Sequence, residues 1–492
     1  MAEKPKYFDY EPVTRPRRRT VEEVGDDVER GFVPASSIDG PFASPALQKG
    51  NKTETNEWRL AAQSTEEKPQ SQTATHSVLR KGHALSFAGI FLFSFVVYFR
   101  PYEWTPALGW LSSSAFWIAI ATIAVFIPTQ LGLEGNLTAR PREVKLILLL
   151  TGFALLSIPF SLSPSSGLIA FLDYVKVILI FVVMVNVVRT DLRLKTLLVL
   201  SFVASSILSL LALNDYRSGN LTLQGTRISG WIGGIFSNPN DLALHLVTMV
   251  PLAVCLLLGT RSIIKKSFYA ICSILFVAGI VATFSRGGVL GLVVAGFVLA
   301  GKYSHKMRFV MIGAFVILLL GLLAVSPGGF RERLFTTDDA SAVSRTDDLK
   351  RSIFLSVRHP LLGIGLGNYV FYSNQAKATH NAYTQISSEL GLAAATCYVL
   401  FLIAPLKPLS RIEKETRGIK AKRQIYYLAI GLQAALIGYM VSSFFASVPY
   451  LWYAYYLVAY AIALRRIHDS SGTTPSTGLT DNSVKIAHEI RS

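Results

Sequence analysis

The sequence predicts an all-α protein that crosses a membrane about twelve times, and three observations support this prediction. Only 16% of its 492 residues are charged and 51% are hydrophobic, whereas soluble proteins carry about 25% charged residues. Apolar runs such as "VILIFVVMVNVV" and "LVTMVPLAVCLLLG" recur between short polar breaks, and such runs are typical of spanning helices. Basic residues fall in alternate connections, as they do in multi-pass membrane proteins.

Both ends of the chain are polar and flank the predicted spans. Residues 1–83 and 467–492 show no sustained hydrophobic period, which predicts disordered cytoplasmic tails around a transmembrane domain at 84–466. The basic run "RPRRR" is offset by the acidic "EEVGDDVE", so we expect a solvated tail and no nucleic-acid partner. The predicted spans are 84–100, 107–131, 144–160, 167–188, 194–213, 241–259, 267–284, 287–301, 309–325, 384–406, 425–446 and 449–465.

Basic residues are concentrated in every second connection, which predicts the orientation. Because Lys and Arg mark the cytoplasmic side of a membrane, both termini are predicted to be cytoplasmic. Two long connections, 214–240 and 326–380, then face outward, the second of them between spans nine and ten. The basic clusters are Arg80 and Lys81; Arg140, Arg142 and Lys145; Arg189, Arg193 and Lys195; Arg261, Lys265 and Lys266; Lys302, Lys306 and Arg308; the run Lys407–Arg423; and Arg465 and Arg466.

Two histidines lie on the outward side of this topology. His359 precedes a proline in "VRHPLLG", where an extended turn is expected. His380 begins an apolar helix beside Asn381, a residue type that caps helices. His245 falls inside a span, where we expect a packed, hydrogen-bonded core residue. His380 is therefore the candidate for acid–base chemistry, with a structural role at the membrane edge as the alternative.

Three outward arginines accompany these histidines. Arg286, in "TFSRGG", has almost no loop around it, and an arginine so close to hydrocarbon usually lines a cavity or has a partner. Arg227 lies in "QGTRISGWIGGIFSNPNDLA", which leads to Asn240 at the start of a helix. Arg345, in "SRTDDLKRS", is explained equally well by an ion pair with an adjacent aspartate. The alternatives are a snorkelling Arg286 and an ordinary exposed Arg227.

Two cavity arginines and one histidine on one face indicate a polyanionic ligand beside an acid–base step. Arginine binds phosphate through paired hydrogen bonds and keeps its charge, and histidine titrates near neutrality. Because ATP is absent outside the cytoplasm, the phosphate is expected on a lipid, which indicates a glycan donor linked to undecaprenyl diphosphate. The acidic pairs in "TTDDAS" and "RTDDLK" are interpreted as solvated or helix-capping residues, so neither a metal nor a cofactor is expected.

Four motifs lie in order within residues 225–406: "TRISGWIGGIFSNPNDLAL", "TFSRGG", "RHPLLGIGLGNY" and "HNAYTQISSELGLAA". Together they resemble the O-antigen ligase and O-antigen polymerase group of bacterial envelope glycosyltransferases. The last fits the ligase pattern of His, then Asn, Ser or Gln, nine residues and Gly, through His380, Asn381 and Gly391. Ala394 and Ala395 stand where that pattern often ends in two threonines, so ligase, polymerase and protein-glycosylating enzymes all remain open.

The resemblance implies a metal-independent, inverting glycosyl transfer at the periplasmic face of the bacterial inner membrane. His380 would act as general base, and Arg227 and Arg286 would bind the lipid diphosphate. Glu389 would orient His380 or an arginine, or would serve only as a hydrogen-bond partner. The residues expected to bind substrate are Arg345, Asn381, Glu389 and Asn240.

Several partners follow from the same resemblance. They are an undecaprenyl-diphosphate-linked glycan donor, a saccharide or lipid A-core acceptor, the lipid bilayer and other polysaccharide-assembly proteins. A transporter or flippase of lipid-linked sugars is the alternative. Transporters often contain internal repeats, and we find no convincing repeat in this sequence.

Overall fold

The computed structural model describes residues 70–104, 106–219, 221–222, 227–228, 236, 238–303, 340–373 and 378–472, with isolated residues between 308 and 321. The helices, numbered in chain order, are α1 (Gln70–Phe99), α2 (Ser114–Glu134), α3 (Arg142–Ser157), α4 (Pro164–Val187), α5 (Asp191–Arg217), α6 (Pro239–Gly259), α7 (Ile263–Ala282), α8 (Arg286–Gly301), α9 (Ala340–Arg358), α10 (Ala382–Leu390), α11 (Leu392–Ile403), α12 (Leu406–Thr416), α13 (Arg423–Ser442) and α14 (Trp452–Gly472). Single α-helical turns lie at Pro101–Trp104 and Tyr369–Tyr372, and 3-10 segments at Pro106–Ser113, Ile158–Phe160, Lys420–Lys422 and Ser443–Phe445. Strands β1 (Leu221–Thr222) and β2 (Arg227–Ile228) form a small antiparallel ladder.

The prediction of an all-α, multi-pass membrane protein is confirmed. Among the described residues, nine segments are long and apolar enough to cross a membrane, and each overlaps a predicted span. Two other predicted spans are helices outside that group: α8 has 16 residues, and α14 has 21 residues and is rich in tyrosine. The predicted span 309–325 lies largely outside the described residues, so the total of twelve stays a prediction.

Several helix boundaries differ from the sequence prediction, and α14 ends at Gly472, inside the predicted C-terminal tail. Helix α1 begins at Gln70, inside the predicted tail, because lengthening an existing helix costs much less than nucleating one. The predicted span 384–406 is broken between α10 and α11 at Gly391, whose φ is 89°. The long apolar run of α11 hid this break, although α10 itself is largely polar. The tail residues 1–69 and 473–492 lie outside the described residues.

Helices α6 and α13 pack against each other at the centre of the bundle. In the most apolar stretch of α6, 83% of the residues are buried, and in that of the segment containing α13, 72% are buried. Helix α14 is also buried, and its tyrosines bond to neighbouring helices, as between the Tyr456 and Ser94 hydroxyls at 2.8 Å. His245 has the predicted core role, because its Nε2 lies 2.9 Å from the hydroxyl of Ser205.

Ion pairs join several helix ends at one end of the bundle. Most of their basic partners belong to the connections that the sequence predicted to be cytoplasmic. These pairs tie the end of α2 to the end of α4, the start of α3 to α14, and the end of α8 to α12. The pairs are Arg189 with Glu134, Arg465 with Glu143 at 3.0 Å, and Lys302 with Glu413 at 2.7 Å.

Candidate functional site

Of the described helices that begin at the opposite end of the bundle, three have a side-chain cap that bonds to a backbone N–H group. The caps are Asn238 for α6, Ser285 for α8 and Asn381 for α10. The Asn381 side chain accepts the backbone N–H groups of Tyr383 at 2.9 Å and Thr384 at 3.1 Å, so its predicted capping role is confirmed. Aligned peptide dipoles give each helix N-terminus a partial positive charge, which favours anions.

The starts of α6 and α8 touch directly. The hydroxyl of Ser285 donates a hydrogen bond to the Oδ1 of Asn240 at 3.0 Å. The backbones are also close, since a Cβ on Gly288 would lie 2.6 Å from the Cβ of Ala243. Arg286 follows Ser285 directly, so Asn240 and Arg286 belong to adjoining helix N-termini.

A short segment, residues 443–447, joins the starts of α8 and α10. On one side, Gly287 of α8 is so close to Phe445 that an added Cβ would lie 2.6 Å from the Phe445 Cβ. On the other side, the backbone N–H of His380 donates to the hydroxyl of Ser447 at 2.7 Å. The same five-residue segment therefore contacts the neighbour of Arg286, Gly287, and the backbone of His380 itself.

His380 has an unusual backbone conformation. Its φ is 56°, in the left-handed region that residues other than glycine adopt only rarely. Such a conformation costs free energy and persists where the surroundings enforce it. Ser447 binds its amide on one side, and the Thr379 hydroxyl donates to the backbone oxygen of Asn381 at 2.9 Å on the other. His380 is half-buried, and the backbone that carries its imidazole is held firmly on both sides.

Arg286 is the first residue of α8, and α7 ends at Ala282, so the predicted short connection is confirmed. The turn between the two helices is tight, because Phe284 also has a positive φ of 52°. The guanidinium group is half-buried at a helix N-terminus. A permanent cation and a positive helix end therefore act at the same place.

The other two predicted arginines belong to other elements of the fold. Arg227 pairs through its backbone with Thr222 in the β1–β2 ladder, and its side chain is outside the described part of the chain. Arg345 lies in α9 with a half-buried side chain. Helix α9 meets the site through α10, where the hydroxyls of Ser356 and Ser387 lie 2.8 Å apart. The four predicted residues that the structure brings together are thus Asn240, Arg286, His380 and Asn381.

Glu389 lies apart from the start of α10, where His380 is attached. It stands near the far end of α10, about 10 Å along the axis from the helix start. Its side chain is 2% exposed, and its Oε1 accepts the backbone N–H of Tyr369 at 3.4 Å. Burial raises the pKa of Glu389 to about 7, while the nearby Tyr450 hydroxyl opposes that change. The contacts favour the alternative of a buried hydrogen-bond partner.

The glycine-rich motif "RHPLLGIGLGNY" packs behind the site. Its backbone N–H groups bond within the protein: Ile364 and Gly365 donate to the backbone oxygens of Ser388 and Glu389, each at 2.9 Å. A Cβ on Gly363 would overlap the carbonyl group of Glu389. We call residues 359–369 the glycine bracket, because it holds the α10–α11 break against the α3–α4 connection, where Leu366 donates to the Ser157 hydroxyl at 3.2 Å.

The sequence reasoning missed several residues that shape this end of the bundle. Ser285 had a readable signal, since a serine directly before a helix start is a typical cap. Ser447 and Tyr383 had none, because their partners are remote in sequence: the Tyr383 hydroxyl donates to the backbone oxygen of Met440 at 2.7 Å. Asp241, in the first turn of α6, adds a half-buried carboxylate at the same end.

The two acidic pairs of the sequence, in "TTDDAS" and "RTDDLK", are of a residue type that can bind metal ions. Asp338 and Asp339 lie outside the described residues. Asp347 is exposed on α9, whereas Asp348 is buried and accepts the Tyr369 hydroxyl through its backbone oxygen at 2.9 Å. Within the described part of the chain, no group of three His, Cys, Asp or Glu side chains could hold a metal ion.

Comparison with known proteins gives a family for part of the chain. Residues 270–399 match the family model described as O-antigen ligase, which confirms the resemblance inferred from the motifs. No curated protein matches the chain significantly. The matched range contains Arg286, Arg345, His380, Asn381 and Glu389, and it begins after Arg227 and Asn240.

Proposed function

Because residues 270–399 carry an O-antigen ligase domain, we propose that this protein transfers a glycan from undecaprenyl diphosphate to a saccharide acceptor. The reaction takes place at the end of the bundle where α6, α8 and α10 begin. One observation carries the proposal: the 443–447 segment contacts both Gly287, next to Arg286, and the backbone of His380.

The distribution of charge supports an orientation for this site. The basic connections and their ion pairs lie at the other end of the bundle, and such residues concentrate on the cytoplasmic side. Both termini would then be cytoplasmic, the connection 326–380 periplasmic, and the membrane the bacterial inner membrane. The site would meet donor and acceptor in the periplasm.

The convergence of positive groups supports a diphosphate-bearing donor. The N-termini of α6 and α8 adjoin, and the 443–447 segment links the start of α8, which carries Arg286, to the start of α10. Preorganised positive charge stabilises negative charge that develops on a leaving group. Arg286 binds the diphosphate, and Arg227 joins it from the connection after α5. Asn240, held by Ser285, offers its side-chain N–H groups to the donor.

His380 acts as the general base on the acceptor. Its imidazole takes the proton from an acceptor hydroxyl as that oxygen forms a bond to the anomeric carbon. The bond from this carbon to the diphosphate oxygen breaks at the same time, and the diphosphate leaves with the electron pair beside Arg286. Attack opposite the leaving group inverts the anomeric configuration. Asn381 fixes the start of α10 and so the position of His380.

Two predicted residues take supporting roles. Arg345, on α9, faces the acceptor side, where a saccharide or lipid A-core would approach. Glu389 acts through packing, because its carboxylate accepts a hydrogen bond from the glycine bracket. It lies about 10 Å along α10 from the helix start, which follows His380. Neither takes part in the transfer of the proton.

The test uses His380→Ala and Arg286→Ala in the purified full-length protein. The substrates are a labelled oligosaccharide on undecaprenyl diphosphate and candidate acceptors: lipid A-core, a second lipid-linked oligosaccharide and a peptide. Both variants should stay folded and lose transfer by at least about 100-fold, the usual size of a lost general base or charge stabiliser. Product is measured as a shift in gel mobility and by mass spectrometry.

Matched controls separate chemistry from charge loss. His359→Ala and Arg217→Ala each remove an exposed residue of the same type, in a connection predicted to face outward. Both variants should transfer glycan normally. Normal transfer by His380→Ala and Arg286→Ala would refute the proposal. Movement of the lipid-linked glycan across vesicles without a new glycosidic bond would also refute it, and would favour a transporter.

A further inference from the structure

Three large apolar side chains of helix α9 lie on the side away from the protein core, whereas Leu355 is buried. The side facing α10 buries small and polar residues, and the Ser352 side chain there is fully buried. The opposite side exposes large apolar residues. Their exposed fractions are 48% for Ile353, 59% for Phe354, 72% for Val357 and 79% for Leu361 just after the helix.

This exposed side also carries positive charge. Lys350 and Arg358 are exposed on it, three residues before Ile353 and one residue after Val357. We call Lys350, Ile353, Phe354, Val357, Arg358 and Leu361 the outward face of α9. An apolar stripe with basic residues along its edges is typical of helices that lie in the plane of a membrane surface.

The end of α9 lies at the level where the spans meet the membrane surface. The backbone N–H of Leu392 donates to the backbone oxygen of Pro360 at 2.8 Å. Leu392 begins a candidate membrane span and is itself 49% exposed. The glycine bracket that continues from α9 also bonds to Ser157, near the end of the span Arg142–Phe160. The outward face thus adjoins the apolar surface of the spans.

A cavity of about 630 Å³ opens on the same side of α9. Phe354 and Leu355 supply apolar lining, and Lys350 and Arg351 supply positive charge. Arg351 is held in place, because it donates to the backbone oxygen of Tyr372. Asp347 also lines the cavity, beside the two cations. Such a cavity, with apolar lining beside two cations, suits a phospholipid: its phosphate group would contact the cations and the first carbons of its acyl chains the apolar lining.

We propose that α9 is an interfacial helix and that its outward face binds anionic phospholipid. Ile353, Phe354 and Val357 insert between the acyl chains, and Lys350 and Arg358 contact headgroup phosphates. Two observations select lipid as the occupant: the face continues the apolar surface of the spans, and its charge complements phosphate. Because Ser356 bonds to Ser387 of α10, lipid contact sets the height of α10, the helix that follows His380.

The test measures the depth of α9 by spin labelling. Val357→Cys is made in a full-length background whose buried cysteines, Cys255, Cys272 and Cys397, are replaced by alanine. The protein is placed in bilayers that contain phosphatidylglycerol. Leu172→Cys, 52% exposed on span α4, serves as the lipid control, and Asn136→Cys, exposed between α2 and α3, serves as the water control.

The label at position 357 should behave like the lipid control. It should collide with oxygen readily and with a water-soluble nickel chelate several-fold less than the label at position 136. Equal access to nickel would overturn the proposal, because the helix would then lie in water. Protection from both reagents would also overturn it, because protein from this chain or a second copy would then cover the face.

A second comparison tests the charge assignment. When phosphatidylcholine replaces phosphatidylglycerol, the label at position 357 should move towards water, since the attraction to Lys350 and Arg358 is lost. The double variant Lys350→Gln/Arg358→Gln should show the same depth in both lipids. An equal depth of the parent protein in both lipids would overturn the assignment of these two cations.

Discussion

The matched domain contains two glycine-rich motifs, and they differ in what their glycines approach. Beside Arg286, Gly287 and Gly288 are helical, and they let α8 lie close to Phe445 and Ala243. In the glycine bracket, Gly363, Gly365 and Gly367 all have positive φ. The first motif brings helix N-termini together, whereas the second bends the chain tightly around the α10–α11 break.

Most backbone N–H groups of the glycine bracket already have partners within the protein. A buried amide needs a partner, and bracket amides such as those of Ile364, Gly365 and Leu366 bond inside the protein. At the start of α8 the helix N-terminus faces the end of the bundle, with Arg286 beside it. A glycine-rich motif near a candidate histidine is therefore not itself a sign of ligand binding.

The largest effect is expected from Gly363→Ala in the bracket. The new Cβ would overlap the carbonyl group of Glu389, at a φ of 66° that alanine adopts poorly. Rigid backbone on both sides leaves no room to relax, so the free energy of unfolding should fall by more than about 4 kcal/mol. Folded yield after detergent extraction, measured by size-exclusion chromatography, should be nearly lost.

A matched control isolates the steric part of this effect. Gly418 has a φ of 80° with open space around its Cβ position, so Gly418→Ala should cost only about 1–3 kcal/mol for the conformation. Equal folded yields of Gly363→Ala and Gly418→Ala would contradict the proposed difference between the two motifs.

A smaller effect on stability, but a clear effect on function, is expected from Gly287→Ala. Overpacking against Phe445 should cost about 1–3 kcal/mol, partly offset by up to about 1 kcal/mol of better helix propensity. The added methyl group would displace Phe445, which lies two residues before Ser447. Because Ser447 binds the backbone of His380, His380 should shift as well. Glycan transfer should therefore fall about tenfold or more, while the protein stays folded.

The control for this change lies on the same helix. Gly301, the last residue of α8, has open space at its Cβ position, and Gly301→Ala should leave transfer unchanged. If Gly287→Ala transferred glycan as fast as Gly301→Ala, the contact with the 443–447 segment would have no role in positioning His380.

The smallest effect concerns Glu389 and depends on pH. Burial raises its pKa from an ordinary value of 4.5 to about 7, so the folded state holds this proton more tightly than the unfolded state does. Stability from this group is therefore gained as the pH falls from about 7 towards 4.5 and is absent at higher pH. Between about pH 8 and pH 5.5 the melting temperature should rise by roughly 2–4 °C.

Glu389→Gln removes the titrating group and should flatten this dependence. Glu415→Gln changes an exposed carboxylate that pairs with Arg411 and should leave the gain at low pH intact. If Glu389→Gln and the parent protein gained the same stability on acidification, another group would be responsible, and the buried carboxylate would already be neutral or solvated.

Sequence reasoning recovered the membrane class and much of the candidate site. Hydrophobic runs predicted the spans because lipid requires continuous apolar helices. The capping role of Asn381 and the short connection at Arg286 were also readable, since both depend on neighbouring residues. The break at Gly391 was not, because the Leu361 carbonyl that fills the space at Gly391 comes from a remote part of the chain.

The sequence by itself determined that this chain lies in a membrane, which connections share a charge, and which residue types could handle a phosphate and a proton. These properties depend on composition and local order, which the chain carries before it folds. Only the tertiary structure decided which of those residues meet. It placed the start of α6 against α8, linked α8 and α10 through the 443–447 segment, and placed Glu389 apart from the start of α10, because contacts between remote residues depend on how the helices pack.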